Sequence, residues 1–233
     1  VARTVFGQLM VQEIEDLRKL DALLTPANAP LRSTAMPETG VARRGGSLRV
    51  PILSANVPSR GNFITRNIAL LMMRLTGWRF AGEDFPDVKK CVLIVAPHTS
   101  NWDFGVGIMA MYALGLRGAF LAKDSLFGFP LGILMRWLGG SPVDRTAKSD
   151  VVTQTVQLVE RSERITIVLA PEGTRKITTR WRSGFYWIAQ KAGIPIFPVT
   201  FDFSTKCVTL FPLFYPTGDQ DGDIAKIRAL YQA

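Results

Sequence analysis

The chain contains one histidine and two cysteines in 233 residues. Any imidazole acid–base chemistry within one copy of the chain must therefore use His98, because histidine is the side chain whose ordinary pKa lies near neutrality. Cys91 and Cys207 lie in apolar, strand-like segments, which favours buried free thiols in a reducing, cytoplasmic compartment. No cluster of cysteine and histidine is present that would offer a zinc site.

Long apolar runs are also missing. No stretch of about 18 uncharged apolar residues predicts a membrane-spanning helix, and the longest candidate, 104–116, ends at Arg117. The N-terminus lacks the apolar core and cleavage site of a secretory signal. Yet 47% of the residues are hydrophobic, the mean hydropathy is +0.15 and the formal charge is +9. This balance favours an anionic partner: nucleic acid, a phosphorylated or CoA-type substrate, or, given the apolar content, an anionic membrane surface.

Composition divides the chain near residue 60. Residues 4–24 have the apolar spacing of an amphipathic helix, and residues 25–60 carry five of the fourteen prolines. We therefore predict an N-terminal extension, 1–60, made of a helix and an irregular linker, and a main domain, 61–233. A helix over 62–77, with Asn62 as its N-cap and Gly77 past its end, is apolar around most of its circumference. Burial and a bilayer interface are equally compatible with that pattern.

Strands and helices alternate in the main domain. The apolar runs 91–96, 119–122, 165–169, 196–201 and 207–211 predict strands, and the segments 103–116, 127–138, 149–162, 181–192 and 221–232 predict helices. This order predicts an α/β fold with a mixed, largely parallel central sheet flanked by helices, preceded by the N-terminal helical extension. Functional loops of such sheets lie beyond the carboxyl ends of the strands. His98 and Glu172 each closely follow a strand, so we expect them at the same edge.

His98 and Asp103 form the pattern H-x4-D. Thr99, Ser100 and Asn101 are helix-capping types, so a helix should begin near them and place Asp103 in about its first turn. The carboxylate would then accept from one imidazole nitrogen, and the other nitrogen would take a proton from a hydroxyl. Taken alone, a histidine satisfied in a loop is the more common reading of such a pattern.

Two further segments bear polar groups in turns. Ala170-Pro171-Glu172-Gly173-Thr174-Arg175 combines a carboxylate, a glycine, a hydroxyl and a guanidinium that suits bidentate phosphate binding. Gly139-Gly140-Ser141-Pro142-Val143-Asp144-Arg145 adds a second arginine. Each has a plain alternative, a solvated basic loop for the first and a glycine turn with an Asp–Arg pair for the second.

The order of these segments resembles a known family. His98-x4-Asp103, then 140–145, 171–175 and the Pro195-containing run 194–199 resemble the four blocks of the glycerolipid acyltransferases, most nearly the 1-acyl-sn-glycerol-3-phosphate (lysophosphatidic acid) acyltransferase branch. The resemblance extends from about Thr76 to the C-terminus. It departs from the family at Ser141-Pro142-Val143, where bulkier hydrophobic residues are usual, and at Ala170, where many members have Phe.

The resemblance implies roles for these residues. His98 would be the general base on the acceptor hydroxyl, held by Asp103, and the hydroxyl would attack the thioester of acyl-CoA or acyl-carrier protein directly. Arg145 and Arg175 would hold the acceptor phosphate. The acceptor-binding set would be completed by Glu172, Gly173, Thr174 and Lys123, and the Pro195 block would line the acyl or acceptor side. No metal or bound cofactor would be needed, and the protein would attach peripherally or monotopically to the cytoplasmic face of the inner membrane.

Other readings remain open from the residues alone. A lipid or thioester hydrolase would use the same His–Asp pair with water, although no G-x-S-x-G elbow is present for a serine hydrolase. A non-catalytic membrane-binding module would also explain the charge, whereas nucleic-acid binding lacks any recognisable signature. The apolar segment 123–138 is compatible with an acyl groove, a bilayer contact or a core helix. The aromatic residues of 181–187 favour a packed core face over an interfacial belt.

Overall fold

The computed structural model describes residues 49–97, 102–143, 151–173 and 181–231. The predicted helix at 4–24 and most of the linker at 25–60 lie outside these residues. The strands are β1 (Arg79–Gly82), β2 (Lys90–Ala96), β3 (Gly118–Lys123), β4 (Gly140–Val143), β5 (Ile165–Leu169), β6 (Ile196–Asp202) and β7 (Cys207–Leu210). The helices are α1 (Phe63–Thr76), α2 (Trp102–Leu114), α3 (Leu131–Trp137), α4 (Val151–Arg161), α5 (Gly184–Ala192) and α6 (Gln220–Ala229), and a short 3-10 helix covers Asp124–Phe127.

The strands form one sheet in the order β1-β7-β6-β2-β5-β3-β4. Strands β2 to β6 run parallel to one another, β7 is antiparallel to β6, and β1 is parallel to β7. The predicted mixed, largely parallel sheet with flanking helices is therefore confirmed. We call the edge at which β2, β3, β4, β5 and β6 end the carboxyl edge, and the opposite one the amino edge.

The central strand β2 shows why the sheet is covered on both faces. Six of its seven residues are buried, as expected for a strand with helices on either side. Successive side chains point to opposite faces. Leu93 and Val95 join the apolar cluster that includes side chains of α1 and α2, and Val92 and Ile94 join the cluster that includes side chains of α4, α5 and α6. Both cysteines lie in strands and are buried free thiols, as predicted.

Helix α1 has the predicted ends. The Asn62 side chain accepts from the Thr65 amide at 2.9 Å, and the Thr65 hydroxyl accepts from the Asn62 amide at 3.1 Å, which is a capping box. Gly77 ends the helix in the left-handed conformation at φ 80°. The Lys206 ammonium also donates to the last helical carbonyl, that of Thr76, at 2.9 Å. The turn between β6 and β7 therefore holds the C-terminus of α1.

The outer face of α1 is apolar. Ala69 and Met73 are buried against the domain. Ile64, Ile68, Leu71 and Leu75 recur at i, i+4, i+7 and i+11, the spacing of a second stripe, and all are exposed, Ile64 at 65% and Leu75 at 77%. Burial therefore applies to one narrow face of α1 only, and a broader apolar face is exposed.

A buried carboxylate anchors the C-terminal helix α6. Asp223 is fully buried and accepts from the Tyr186 hydroxyl at 3.0 Å and the Thr217 amide at 2.7 Å. Burial alone would raise the pKa of the Asp223 carboxyl, but the hydrogen bonds from Thr217 and Tyr186 and the nearby Lys226 together outweigh it and lower that pKa. Phe185 and Tyr186 of α5 are buried in the core as expected, whereas Trp187 is exposed.

Three local predictions were incomplete. Strands β1 and β4 were not predicted; both are short edge strands, and Gly140 and Pro142 made β4 look like a turn. The helix predicted at 127–138 is shorter, because α3 begins only after Pro130. Its exposed side chains Leu131, Ile133, Leu134 and Trp137 also exclude a simple core helix.

The chain just before residue 60 packs with the domain. Val57 is buried in the same apolar cluster as Met73 of α1. Ser59 forms an isolated β-bridge with Leu116, and the Arg117 amide donates to the Pro58 carbonyl at 2.8 Å. The last residues of the predicted linker thus contribute to the folded core.

Candidate functional site at the carboxyl edge

His98 itself lies outside the described residues, but the elements on either side are described. Strand β2 ends at Ala96, Pro97 follows, and α2 begins at Trp102. The prediction that a helix begins near Thr99–Asn101 is confirmed to within a few residues. The H-x4-D segment therefore connects the carboxyl end of the central strand to the beginning of α2.

Asp103 lies in the first turn of α2, as predicted. Only 2% of the residue is exposed, which is unusual for a carboxylate. The helix N-terminus favours negative charge there, because the amide groups of the first turn point toward it. A buried carboxylate in this position is suited to orient a neighbouring imidazole.

Glu172 and Gly173 lie beyond the end of β5. This strand pairs with β2 in parallel, with Ile94 opposite Leu169, so the two strands end side by side. Glu172 is 6% exposed. The Gly173 amide donates to the Ala170 carbonyl at 3.1 Å in a tight turn, and Gly173 has φ +61°, a conformation that favours glycine. The second buried carboxylate of this region therefore lies at the same edge as the end of β2, as predicted.

The other predicted site residues lie, in the sequence, at or just after the ends of β3, β4 and β5. Strand β3 ends at Lys123 and β4 at Val143, paired in parallel and opposite each other. The side chain of Lys123 lies outside the description, as do Arg145, Thr174 and Arg175. Arg145 follows the end of β4 by two residues, and Thr174 and Arg175 directly follow Gly173. Four parallel strands that lie together in the sheet thus lead into the predicted motifs.

The fourth motif, 194–199, begins at the other edge. Pro195 precedes β6, and its carbonyl accepts from the Val92 amide at 2.9 Å, near the amino end of β2. Phe197 and Val199 lie further along β6 and line the cavity described next. Pro195 therefore fixes the start of a strand, and the later residues of this motif lie nearer the carboxyl edge.

An apolar cavity of about 60 Å³ lies between α2 and the sheet. Every lining side chain is apolar, and Val95 of β2 is among them. Gly107 of α2 also lines it, one helical turn after Asp103, and a Cβ there would lie 3.6 Å from the Phe201 ring. The cavity is thus lined by the helical turn that follows the one carrying the buried carboxylate. Sequence patterns did not reveal it, because its walls come from several separate elements.

Arg182 is a second feature that the sequence pattern alone did not place. Its amide donates to the Pro171 carbonyl at 2.8 Å, so after residues 174–180 the chain is again beside the Glu172–Gly173 turn. Among the described residues, no group of three or more histidine, cysteine, aspartate or glutamate side chains is arranged to hold a metal ion. Within the same part of the chain, no helix is both long and apolar enough to cross a membrane.

Comparison with known proteins identifies the family. The family model described as Acyltransferase matches residues 77–202. The 1-acyl-sn-glycerol-3-phosphate acyltransferase BAT2, chloroplastic, of Brassica napus is 28% identical over 125 residues, which cover 51% of this chain and 35% of that protein. The match thus spans about a third of the length of that curated relative. The chain belongs to the acyltransferase family, and the predicted resemblance is confirmed at that level.

A solved structure shows the same fold. The 1-acyl-sn-glycerophosphate (LPA) acyltransferase PlsC of Thermotoga maritima matches with a TM-score of 0.52 and 18% sequence identity, covering 72% of this chain and 78% of that one. At this identity the likeness concerns the fold. It agrees with the mixed, mostly parallel sheet and its flanking helices.

Proposed function

We propose that the protein transfers a fatty acyl group from acyl-CoA or acyl-carrier protein to the hydroxyl of a lysophospholipid such as 1-acyl-glycerol-3-phosphate. The observation that carries the proposal is the convergence at the carboxyl edge. The strands that precede His98, Glu172 and Arg145 are parallel and end at this edge. The membership of the chain in the acyltransferase family and its similarity to a protein named for this activity support the same conclusion.

In the proposed reaction, His98 is the general base and Asp103 its positioning partner. The imidazole takes the proton of the acceptor hydroxyl as the oxygen attacks the thioester carbonyl carbon. The tetrahedral intermediate then collapses, the C–S bond breaks, and the leaving thiolate takes the proton from the imidazolium. An ester and a free thiol result, with no covalent acyl-enzyme and no resident metal or cofactor in the scheme.

Acceptor binding is assigned to the segments that follow β4 and β5 in the sequence, with Lys123 at the end of β3. Arg145 and Arg175 would bind the phosphate, since guanidinium groups suit bidentate contacts with phosphate oxygens. Thr174 would add a hydroxyl, and the Glu172–Gly173 turn would position the acceptor near His98. The buried state of Glu172 and the backbone conformation of Gly173 indicate that the turn at these two residues is fixed rather than loosely solvated.

The acyl chain is assigned to the cavity between α2 and the sheet. Its lining is apolar and includes the helical turn that follows the one carrying Asp103. A cavity of about 60 Å³ is much smaller than a long acyl chain, which would therefore extend beyond it.

Membrane attachment is assigned to the outer stripe of α1. An exposed apolar face on a helix is characteristic of surfaces that contact a bilayer or another protein. Arg74 lies beside the stripe, and the chain as a whole carries a formal charge of +9, which favours anionic lipid. We accordingly propose peripheral or monotopic attachment at the cytoplasmic face of the inner membrane.

Thiol release tests the proposed activity. The protein is incubated with palmitoyl- or oleoyl-CoA and a panel of lysophospholipids, and both the free thiol and the acylated product are measured. Thiol release that requires an acceptor, with product in equal amount, is expected. Free fatty acid formed without an acceptor would instead indicate a hydrolase. If neither product forms, the same measurement with acyl-carrier protein as donor decides whether the protein transfers acyl groups or only binds lipid.

Replacing Arg175 by alanine should raise KM for lysophosphatidate by about 10- to 100-fold, the range expected for losing a charged hydrogen-bonding group. KM for the acyl donor should change much less. Initial rates with each substrate varied in turn measure both constants. Equal increases for donor and acceptor would contradict the phosphate assignment.

The α1 stripe should control vesicle binding. Replacing Ile64 and Leu75 together by glutamine keeps good helix formers and the net charge, but removes two exposed apolar side chains. Because burial of one such side chain stabilises by about 1.5–3 kcal/mol, binding to vesicles should weaken at least about 10-fold. Co-sedimentation with phosphatidylglycerol-containing vesicles measures the change.

The control replaces two exposed residues elsewhere on the surface by glutamine. Ile52 and Tyr215 are exposed apolar residues outside α1. Their double replacement by glutamine should leave vesicle binding unchanged. Equal binding by both double variants would remove α1 from the membrane contact, and a dimer that dissociates only in the α1 variant would identify a second copy of the chain as its partner.

A further inference from the structure

The side chain of Arg182 lies directly on the Glu172–Gly173 turn. If Gly173 carried a Cβ atom, that atom would lie 2.6 Å from Arg182 Cδ and 3.0 Å from Arg182 Nε. No side chain larger than hydrogen fits there without displacing the arginine. Besides its positive φ, Gly173 therefore provides the space in which the stem of Arg182 crosses the turn.

A backbone hydrogen bond and the packing of the preceding residue hold Arg182 in this place. Its own amide donates to the Pro171 carbonyl, as described above. The preceding residue, Trp181, packs edge-on against Phe185 and Tyr231, with ring centroids 5.9 and 5.2 Å apart. The Tyr231 hydroxyl in turn donates to the Ile94 carbonyl of β2 at 3.3 Å. Arg182 is thus fixed relative to the central strand whose end leads into His98.

The charge of Arg182 is accessible. The residue is exposed, although its stem is held against Gly173. Within the described residues it forms no ion pair. A guanidinium remains charged at any physiological pH and presents several donors in one plane. A cation held at the carboxyl edge, beside a turn assigned to the acceptor, is suited to an anionic group of the substrate.

We infer that Arg182 is a specificity-determining residue that binds the phosphate of the acceptor, in addition to Arg145 and Arg175. This inference rests on the proposed function. In this role, Arg182 makes a phosphorylated acceptor bind more tightly than an unphosphorylated one. The reaction itself is left to His98 and Asp103. Removing the charge should therefore raise KM for a phosphorylated acceptor and leave kcat nearly unchanged.

Replacing Arg182 by methionine tests this assignment, because methionine keeps an apolar stem against Gly173 and removes only the charge. In neutral detergent micelles, KM for lysophosphatidate should rise about 10-fold or more, whereas KM for monoacylglycerol, which lacks the phosphate, should stay within about 2-fold. Arg182→Lys should recover part of the loss, since it restores the charge without the planar fork. Arg161→Met, at an exposed arginine near the amino edge, controls for net charge.

The possible results distinguish failure of the Arg182 assignment from failure of the proposed acyltransferase function. Arg182→Met with the wild-type KM for lysophosphatidate, or with equal increases for both acceptors, would overturn the role of Arg182 while leaving the proposed function intact. An equal effect of Arg161→Met would likewise overturn it. A wild-type protein that transfers acyl groups to neither acceptor from either donor would instead overturn the proposed function itself.

Discussion

Replacing His98 by alanine is expected to reduce kcat for acyl transfer by about 10²- to 10⁴-fold, the usual contribution of a positioned general base. No other histidine exists in the chain, so a second imidazole of the same copy cannot take over. KM for either substrate should change little, because the proposed binding groups belong to other segments of the chain. Steady-state kinetics with acyl-CoA and lysophosphatidate measure both effects.

The pH dependence distinguishes loss of a base from loss of structure. A base must be neutral to act, so kcat/KM of the wild-type protein should fall as the pH drops through the pKa of the His98 imidazole. In the alanine variant, kcat/KM should no longer fall over this acidic range, which is the acidic limb of the pH profile. Circular dichroism and the melting temperature should remain close to those of the wild-type protein. Activity near the wild-type level, with the same limb, would exclude His98 as the base.

The central sheet was predictable from the sequence because its strands are strongly patterned. Strand β2 is a short apolar run rich in valine and isoleucine, and a strand buried on both faces requires such a run. Parallel strands also bring their carboxyl ends to one edge, so placing His98 and Glu172 after strands was enough to place both segments there. Both conclusions depend on local sequence and one general rule of topology.

The two outermost strands of the sheet, β1 and β4, could not be predicted in the same way. Strand β4 contains a glycine and a proline, which are both unfavourable for strands, and it forms only because β3 supplies a partner. Strand β1 has four residues and is paired with β7, more than a hundred residues later in the chain. Their positions are determined by tertiary pairing, which overrides weak local preference.

The features that refine the site depend on contacts between distant residues. The position of Arg182 depends on a backbone hydrogen bond to Pro171 and on the missing Cβ of Gly173. The cavity depends on Gly107 facing Phe201 across the layer between α2 and the sheet. In the sequence, Arg182 is only one of several basic residues after the 171–175 motif. Nothing in the sequence explains why residue 107 of the predicted helix is glycine.

Replacing Asp103 by asparagine should lower kcat by about 10²- to 10³-fold, although the substitution hardly changes the volume of the side chain. Asparagine can still form hydrogen bonds, but it offers no negative charge to stabilise the imidazolium that forms during the reaction. The lost charge at the N-terminus of α2 should cost only about 0.3–1 kcal/mol of stability, so the folded protein should persist. The kcat effect should exceed any effect on KM.

The pH profile gives the sharper readout for Asp103. A neighbouring carboxylate favours the protonated imidazole and so raises its pKa. Without that charge, the acidic limb of kcat/KM should move to lower pH in Asp103→Asn, a shift that a merely structural role would not produce.

Asp223→Asn is the matched control, because it removes another buried aspartate charge in the separate network with Tyr186 and Thr217. The control should lower the melting temperature without moving the limb. An unmoved limb in Asp103→Asn, with kcat reduced only in proportion to lost folded protein, would assign Asp103 to the stability of α2 and would leave His98 without a carboxylate partner.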